Sequence, residues 1–445
     1  MMSPKRIVLS HRLMTTVLLA LLWALSLSGI FFRHEIISSL SAAGVLVFLT
    51  AAYPVLRRIT FAIVTTLLVA AVALAMHYER LDLLWLGLER AVMFAAFLPT
   101  LALLRAAVSK DPRLERYRER LERVSPETRP LWIVSGSFVL ASVLSVGSSA
   151  IFSSTLRDDA PEVERVAQAR ANVCGASLAL IWSPFFVALA VVSDFLPEVS
   201  LLSLVGSGMF VSVLGQILAT RIYARSTPIK GNLETIAALS GFAMPVVATT
   251  ILVVVARATT GLSTIQTMLV ILPVLCVAYL AFRGRARTDR ARRDVWDAMG
   301  RMHDDVAAVS AAMIFGVVLS GTPWMEGLEI VAFLAGFPAA AIVGACILLM
   351  ALLGFAGVQP LVAGTICLIV LTGGSFGLTD LATGISVLAG WSASSMLSVS
   401  SLLVRVTAAQ HGVRPEQLVV GRNMVFFAAF LPLVVMVVMA INGFA

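Results

Sequence analysis

Uncharged polar side chains that could bind a ligand lie inside two apolar stretches of this chain. The first stretch is residues 131–156, and the second is residues 336–372. Hydroxyls and backbone amides at a helix end can bind an anionic group, because the amino terminus of a helix carries partial positive charge. The sequence therefore predicts substrate-binding residues in both stretches, which are Ser148, Ser149, Ser153, Thr155, Gln359 and Thr365.

Each stretch is followed by an apolar segment that contains further hydroxyls. In the first segment Ser183 precedes Pro184, and a proline inside a helix leaves a backbone carbonyl without its donor. In the second segment three serines follow Trp391, and they complete the set of candidate binding residues: Ser392, Ser394 and Ser395. A lone serine in a membrane helix commonly bonds the carbonyl of its own preceding turn or helps two helices pack, so this alternative stays open for each of them.

The composition of the whole chain is that of a membrane protein. Of its 445 residues 59% are hydrophobic and 13% are charged, and many apolar runs are long enough to cross a bilayer. We therefore expect an all-α polytopic protein that resides in a lipid bilayer. Its net charge of +8 is attributed to cytoplasmic loops, with no binding of nucleic acid. The four cysteines lie in apolar segments without metal-type spacing, so neither a metal site nor a resident cofactor is expected.

The distribution of basic residues predicts how the two stretches meet the membrane. Most of the 33 lysines and arginines fall on the inner face if the N-terminus is cytoplasmic and neither stretch crosses. If both stretches crossed, this bias would vanish. The sequence therefore predicts about eleven transmembrane helices and two re-entrant hairpins that enter from opposite faces of the membrane.

The two hairpins belong to segments of similar residue order. Gly147–Leu156 aligns with Gly357–Ile366, and Gly175–Pro184 aligns with Gly384–Ala393. Because the two copies enter from opposite faces, they form an inverted-topology repeat, with a chance match of apolar segments as the alternative. The predicted parts of the chain are N-terminal scaffold helices, a first repeat, linking helices with a basic cytoplasmic loop, and a second repeat: residues 1–83, 84–222, 223–302 and 303–445.

This arrangement resembles the ion transporter superfamily, which includes the divalent-anion/sodium symporters and the large membrane subunit of tripartite (TRAP) carboxylate transporters. The similarity is architectural, because the paired Ser-Asn-Thr signatures of the symporters are replaced here by Gly147-Ser148-Ser149 and Val358-Gln359-Pro360. The resemblance implies an elevator mechanism, in which the hairpins and interrupted helices carry the substrate while the other helices form a fixed scaffold, often in a homodimer.

We therefore expect a secondary active transporter of a small carboxylate or oxyanion in the bacterial inner membrane, working as a symporter with Na⁺ or H⁺. The alternative is a non-transporting membrane subunit that docks a partner through the amphipathic segment 105–129. The sequence contains no P-loop and no nucleophile motif, and its five histidines fall in loops or at helix ends, so no enzymatic activity is expected.

Overall fold

The chain is helical throughout the residues that the computed structural model describes, which are 4–32, 34–109, 111–125, 127–157, 159–224, 229–325, 333–374 and 376–444. The helices before residue 225 are α1 (Pro4–Phe32), α2 (Glu35–Ala52), α3 (Arg58–His77), α4 (Asp82–Val108), α5 (Pro112–Arg123), α6 (Arg129–Leu144), α7 (Ser148–Ser153), α8 (Glu162–Ala179), α9 (Val187–Phe195) and α10 (Leu201–Tyr223). The later helices are α11 (Ile229–Thr260), α12 (Thr264–Arg283), α13 (Arg285–Met299), α14 (His303–Gly321), α15 (Ala339–Phe355), α16 (Pro360–Gly373), α17 (Asp380–Leu397), α18 (Leu402–His411), α19 (Pro415–Val419) and α20 (Arg422–Phe444).

Eleven helical segments of the described chain are long and apolar enough to cross a membrane. This number confirms the coarse prediction of a polytopic α-helical membrane protein. The set differs from the predicted one at two places. By length and composition it includes Arg129–Ser153, the first predicted hairpin, and it omits the apolar segment that contains Ser183 and Pro184. That region is divided between α8 and α9.

The chain divides into two compact units, each built from two separate segments. Unit 1 consists of Met1–Ala107 and Leu262–Glu329, and unit 2 consists of Val108–Gly261 and Ile330–Ala445. Both predicted hairpins and both of the segments that follow them belong to unit 2. The boundaries of the predicted repeat describe a different division, and they stay a prediction.

Unit 1 is held together by close helix packing and by an ion pair. α1 packs on α2, and α3 packs on α14. α4 approaches α14 so closely that a Cβ at Gly87 would lie 2.8 Å from the Cα of Ile314. Beside this contact, the backbone N–H of Arg57 donates to Asp304 Oδ1 at 2.9 Å, and its guanidinium Nε lies 3.2 Å from Oδ2. The amino terminus of α14 is thereby fixed to the start of α3.

The basic segment 283–294, predicted to be a loop, is largely helical. Gly284, with a φ of 93°, separates α12 from α13 and allows the change of direction between them. Ala291, Val295 and Met299 recur at four-residue spacing and are buried, so α13 has one apolar face. This apolar face is hard to recognise in the sequence, because the charged residues of the segment outnumber its few apolar ones.

Two helix pairs form the centre of unit 2. α6 packs along α8, and α15 packs along α17. At Gly175 a Cβ would overlap the carbonyl of Val134 and would lie 2.9 Å from the Cβ of Ser137. At Gly390 a Cβ would lie 2.5 Å from the Sδ of Met350. Glycine therefore sets the close approach of the helices in both pairs.

Candidate functional site

The first predicted hairpin turns back on itself between α6 and α7. α6 ends at Leu144, and Ser145 has a φ of 51°, a conformation that L-residues rarely adopt. Phe152 of α7 then lies against α6, because a Cβ at Gly136 would be 3.1 Å from its ring. In one straight helix Gly136 and Phe152 would be about 24 Å apart. We refer to α6, α7 and the turn between them as hairpin A.

Tyr117 of α5 contacts both arms of hairpin A. Its hydroxyl donates to the carbonyl oxygen of Trp132 at 2.6 Å, and its ring centroid lies 6.4 Å from that of Phe152. Burial raises the pKa of the Tyr117 hydroxyl, so this group stays protonated and donates at neutral pH. A residue that precedes hairpin A and a residue near its end are therefore neighbours.

The second predicted hairpin also turns back, and its turn lies between α15 and α16. Gly357 in this turn has a φ of 92°, which favours glycine. α15 contacts α16, and the side chains of Cys346 in α15 and Cys367 in α16 are neighbours. A Cβ at Gly364 would lie 3.3 Å from the Cε of Met350. We refer to α15, α16 and the turn between them as hairpin B.

An interrupted helix follows each hairpin. The interruption between α8 and α9 contains Ser183 and Pro184, as the sequence predicts. The interruption between α17 and α18 falls at residues 398–401, a few residues beyond the serines that align with Ser183. α17 is continuous through Ser392, because the hydroxyl of this serine donates to the carbonyl oxygen of Ser177 in α8 at 2.8 Å and leaves the backbone helical.

Two of the predicted site residues connect hairpin A to the interrupted helices. The Ser149 hydroxyl lies 2.8 Å from that of Thr407 in α18, and both side chains are buried. The Ser183 hydroxyl donates to the carbonyl oxygen of Ser142 in α6 at 2.6 Å. The turn of hairpin A is therefore attached to the first interruption and to the second half of the other interrupted helix.

Three other predicted residues in or next to hairpin A bond only to their own turn of helix. Their hydroxyls donate to the carbonyl oxygen three residues earlier, at 2.8 Å for Ser148, 3.2 Å for Ser153 and 2.8 Å for Thr155. This is the local alternative that the sequence left open for a single serine. These hydroxyls can donate a hydrogen bond to a ligand only if they give up the bonds to their own backbone carbonyls.

The predicted residues around hairpin B are placed differently. Ser394 is fully buried next to Gly354, and its hydroxyl has no hydrogen-bond partner among the described residues. Ser395 contributes its carbonyl, which accepts from the Ser401 hydroxyl at 2.7 Å. In hairpin B itself, Thr365 is buried with no partner for its hydroxyl in the described part of the chain, and Gln359 lies at the amino terminus of α16 without capping it.

Sequence reasoning missed three contributors to this region. Thr407 is the partner of Ser149, and the Ser400 hydroxyl donates to the carbonyl oxygen of Gly357 at 3.1 Å. The indole Nε1 of Trp182 is buried in the first interruption and has no hydrogen-bond partner in the part of the chain that the structure describes, although its ring packs 5.8 Å from that of Phe138. The sequence indicated only packing for this tryptophan. Its position directly before Ser183-Pro184 was the available signal.

The candidate site is built without charged side chains. Residues 130–153, 171–193, 339–373 and 381–404 contain no Asp, Glu, Lys or Arg. α9 and α16 contact one another, and each begins without a side-chain cap on its first N–H groups. Such uncapped amino termini favour anions. Among the described residues no three His, Cys, Asp or Glu side chains lie close enough together to hold a metal ion.

The amphipathic segment of the docking alternative is occupied by its own chain. The apolar side chains of α5, which are Leu114, Tyr117 and Leu121, are buried. Its remaining surface is charged, and Arg118 pairs with Glu115 at 2.6 Å. A partner would therefore meet the charged face of α5 and not its apolar face.

No protein-family model matches the chain, and a comparison with curated proteins gives no significant match.

Proposed function

We propose that this chain is a secondary active transporter of a small anion, a carboxylate or an oxyanion, driven by a Na⁺ or H⁺ gradient. The observation that carries the proposal is the contact of Ser149 with Thr407, which lie 258 residues apart in sequence. A turn of backbone that meets an interrupted helix in a buried, uncharged setting is what a substrate site inside a membrane requires.

Matched helix lengths support an inverted repeat in unit 2. α8 and α17 each have 18 residues, and each precedes an interruption. α10 and α20, which follow the second halves of the interrupted helices, each have 23 residues. When the two copies are aligned by these helix lengths, Ser183 corresponds to the serines of the second interruption and not to Ser392. The two copies would then contribute equivalent groups to one site.

The chemistry of the buried polar atoms favours an anion as the substrate. Trp182 Nε1 and the hydroxyls of Thr365 and Ser394 can each donate a hydrogen bond, and over the ranges that the structure describes none of them has a partner. A buried donor without an acceptor costs about 1–3 kcal/mol, which an oxyanion or carboxylate would recover on binding. The uncapped amino termini of α9 and α16 would add donors and positive potential.

The proposal assigns different roles to the two units. Unit 2 contains both hairpins and both interrupted helices, so we assign it to substrate transport by an elevator-type movement. Unit 1 would be the scaffold, and it could form a homodimer. In this scheme hairpins A and B re-enter the bacterial inner membrane from opposite faces, and the N-terminus is cytoplasmic.

A counterflow assay in proteoliposomes tests the proposal. The purified chain is reconstituted, and the uptake of labelled carboxylates and oxyanions is measured with and without imposed Na⁺ and pH gradients. We expect gradient-driven uptake of at least one anion. Ser149→Ala and Thr407→Val should each lower its initial rate about tenfold, because each breaks the contact between hairpin A and α18.

Matched variants separate this effect from a general loss of hydroxyls. Ser240 of α11 is exposed and Thr249 is half-buried, and their hydroxyls donate to carbonyl oxygens of their own helix at 2.8 Å. Ser240→Ala and Thr249→Val should retain the wild-type rate. Absence of gradient-driven flux over the whole panel, with protein that is folded and correctly inserted, would refute the proposal.

A further inference from the structure

Unit 1 contains a cavity of about 290 Å³ that is remote in sequence from the hairpins. It lies between the second half of α1, the beginning of α2 and the beginning of α4. Its polar lining residues are Ser26, His34, Glu35, Ser38, Ser41 and Glu89. Its volume is near the lower end of the range for small-ligand sites, about 300–1,000 Å³.

The described lining of this cavity is acidic. It includes Glu35 and Glu89 and no lysine or arginine. Arg90 follows Glu89 in α4 but does not line the cavity, as expected because successive residues of a helix point in different directions. Glu89 lies about two turns inside a segment that is apolar enough to span a membrane. A carboxylate at that depth favours a cationic partner.

The serine hydroxyls of the cavity are oriented as acceptors. Ser38 donates its proton to Glu89 Oε1 at 3.1 Å, Ser41 donates to the carbonyl oxygen of Ile37 at 2.7 Å, and Ser26 donates to the Sδ of Met93 at 3.6 Å. Their protons are therefore used within the protein, and their oxygen lone pairs remain. With the second carboxylate oxygen of Glu89, these oxygens form a set of acceptors.

We infer that this cavity binds a primary ammonium group carried on a short organic chain. An –NH₃⁺ group has three donors, and the carboxylate and the serine oxygens supply acceptors for them. Leu25, Val92 and Met93 provide an apolar wall for the attached carbons. A quaternary ammonium fits less well, because it donates no hydrogen bond and is usually held by the rings of Trp, Tyr or Phe, and none of these three residue types lines the cavity in the described chain.

Two sources can supply this group, the headgroup of an aminophospholipid or a free small amine. The inference is independent of the proposed transport function, because the residues that carry it all belong to unit 1. Two measurements on the full-length protein in detergent distinguish the sources. The first is titration with ethanolammonium chloride, followed by thermal unfolding, against equal concentrations of tetramethylammonium chloride. The second is native mass spectrometry with phosphatidylethanolamine against phosphatidylglycerol.

Two variants and a control make the test specific. Glu89→Gln removes the charge and keeps the shape of the side chain. Gly29→Leu leaves Glu89 in place but fills the cavity, since Gly29 lines it and a Cβ there makes an ordinary contact of 3.5 Å with Ile37. The control is Glu79→Gln, which changes an exposed carboxylate that precedes α4 and does not line the cavity.

We expect wild-type protein and Glu79→Gln to bind ethanolammonium more strongly than tetramethylammonium, or phosphatidylethanolamine more strongly than phosphatidylglycerol. Both cavity variants should weaken that binding by about tenfold or more. If Glu89→Gln does not fold, Gly29→Leu carries the test. Binding of ethanolammonium identifies a free amine, and binding of phosphatidylethanolamine alone identifies a lipid. Equal binding of the comparison compounds, or unchanged binding in a folded cavity variant, overturns the inference.

Discussion

The serines of hairpin A and of the first interruption differ in the partner that each hydroxyl contacts. Ser148 and Ser153 bond to their own turn, whereas Ser149 bonds to Thr407 and Ser183 bonds to a carbonyl of α6. The locally bonded serines and the serines that bond to another helix have the same residue type. The sequence therefore predicts that serines are concentrated here, but not which of them bond to another helix. The division depends on which helix lies opposite, and that is a property of the fold.

Trp182 offers a prediction at the residue scale. Because its indole Nε1 has no hydrogen-bond partner in the described structure, Trp182→Phe should leave the thermal midpoint nearly unchanged. If the indole binds the transported anion, the same variant should raise the apparent KM about tenfold, since a hydrogen bond to a charged group contributes about 1.5–3 kcal/mol. Uptake kinetics and thermal unfolding measured on the same preparation check both expectations.

Trp23 is the matched control for this prediction. Its Nε1 donates to the Thr100 hydroxyl at 2.9 Å in unit 1. Trp23→Phe should therefore lower the free energy of unfolding by about 1 kcal/mol and leave KM unchanged. An unchanged KM in Trp182→Phe would remove this tryptophan from the site.

At the scale of the element, the two hairpin turns could be predicted and the second interruption could not. Glycine and serine at 145–149, and glycine with proline at 354–360, mark turns because they permit backbone conformations that other residues resist. Ser183-Pro184 marks the first interruption for a similar reason. The second interruption contains serines but no proline, and nearby serines in α17 are compatible with a helix when they bond to a neighbour, as Ser392 does.

Hairpin B can be tested directly with its own cysteines. The side chains of Cys346 and Cys367 are neighbours on the two arms, so Hg²⁺ should bridge them within one chain. In protein with Cys174 and Cys276 replaced by serine, treatment with one equivalent of Hg²⁺ should protect both remaining thiols from alkylation after denaturation. Mass spectrometry counts the alkyl groups.

Single-cysteine proteins provide the control for that experiment. A chain that retains only Cys346 or only Cys367 has no second thiol to complete the bridge, so its protection should be weaker at the same Hg²⁺ concentration. Equal protection in the single-cysteine and two-cysteine proteins would show that the arms of hairpin B are not adjacent in the membrane-inserted chain.

For the whole molecule, composition and charge predict a polytopic helical protein, and the helical segments confirm that class. The division into two units was not predicted, because each unit combines segments that lie far apart in the chain. Sequence similarity at neighbouring positions does not reveal which distant helices form one compact body. The predicted orientation in the membrane rests on the distribution of lysine and arginine.

That orientation depends on hairpin A returning to the side from which it starts, which the contact of Tyr117 with Phe152 supports. The direct measurement is labelling of single cysteines by a membrane-impermeant maleimide, in protein whose four natural cysteines are replaced by serine. Three exposed positions are used: Glu119→Cys before hairpin A, Asp159→Cys after it, and Glu198→Cys after the first interrupted helix.

In intact cells we expect Glu198→Cys to be labelled and both Glu119→Cys and Asp159→Cys to be protected, with the opposite pattern in inside-out vesicles. A different pattern would show that residues 129–153 cross the membrane. In that pattern Asp159→Cys is labelled in the same preparation as Glu198→Cys, and Glu119→Cys is labelled only in the other preparation. That result would contradict the re-entrant hairpin and the anion site that depends on it.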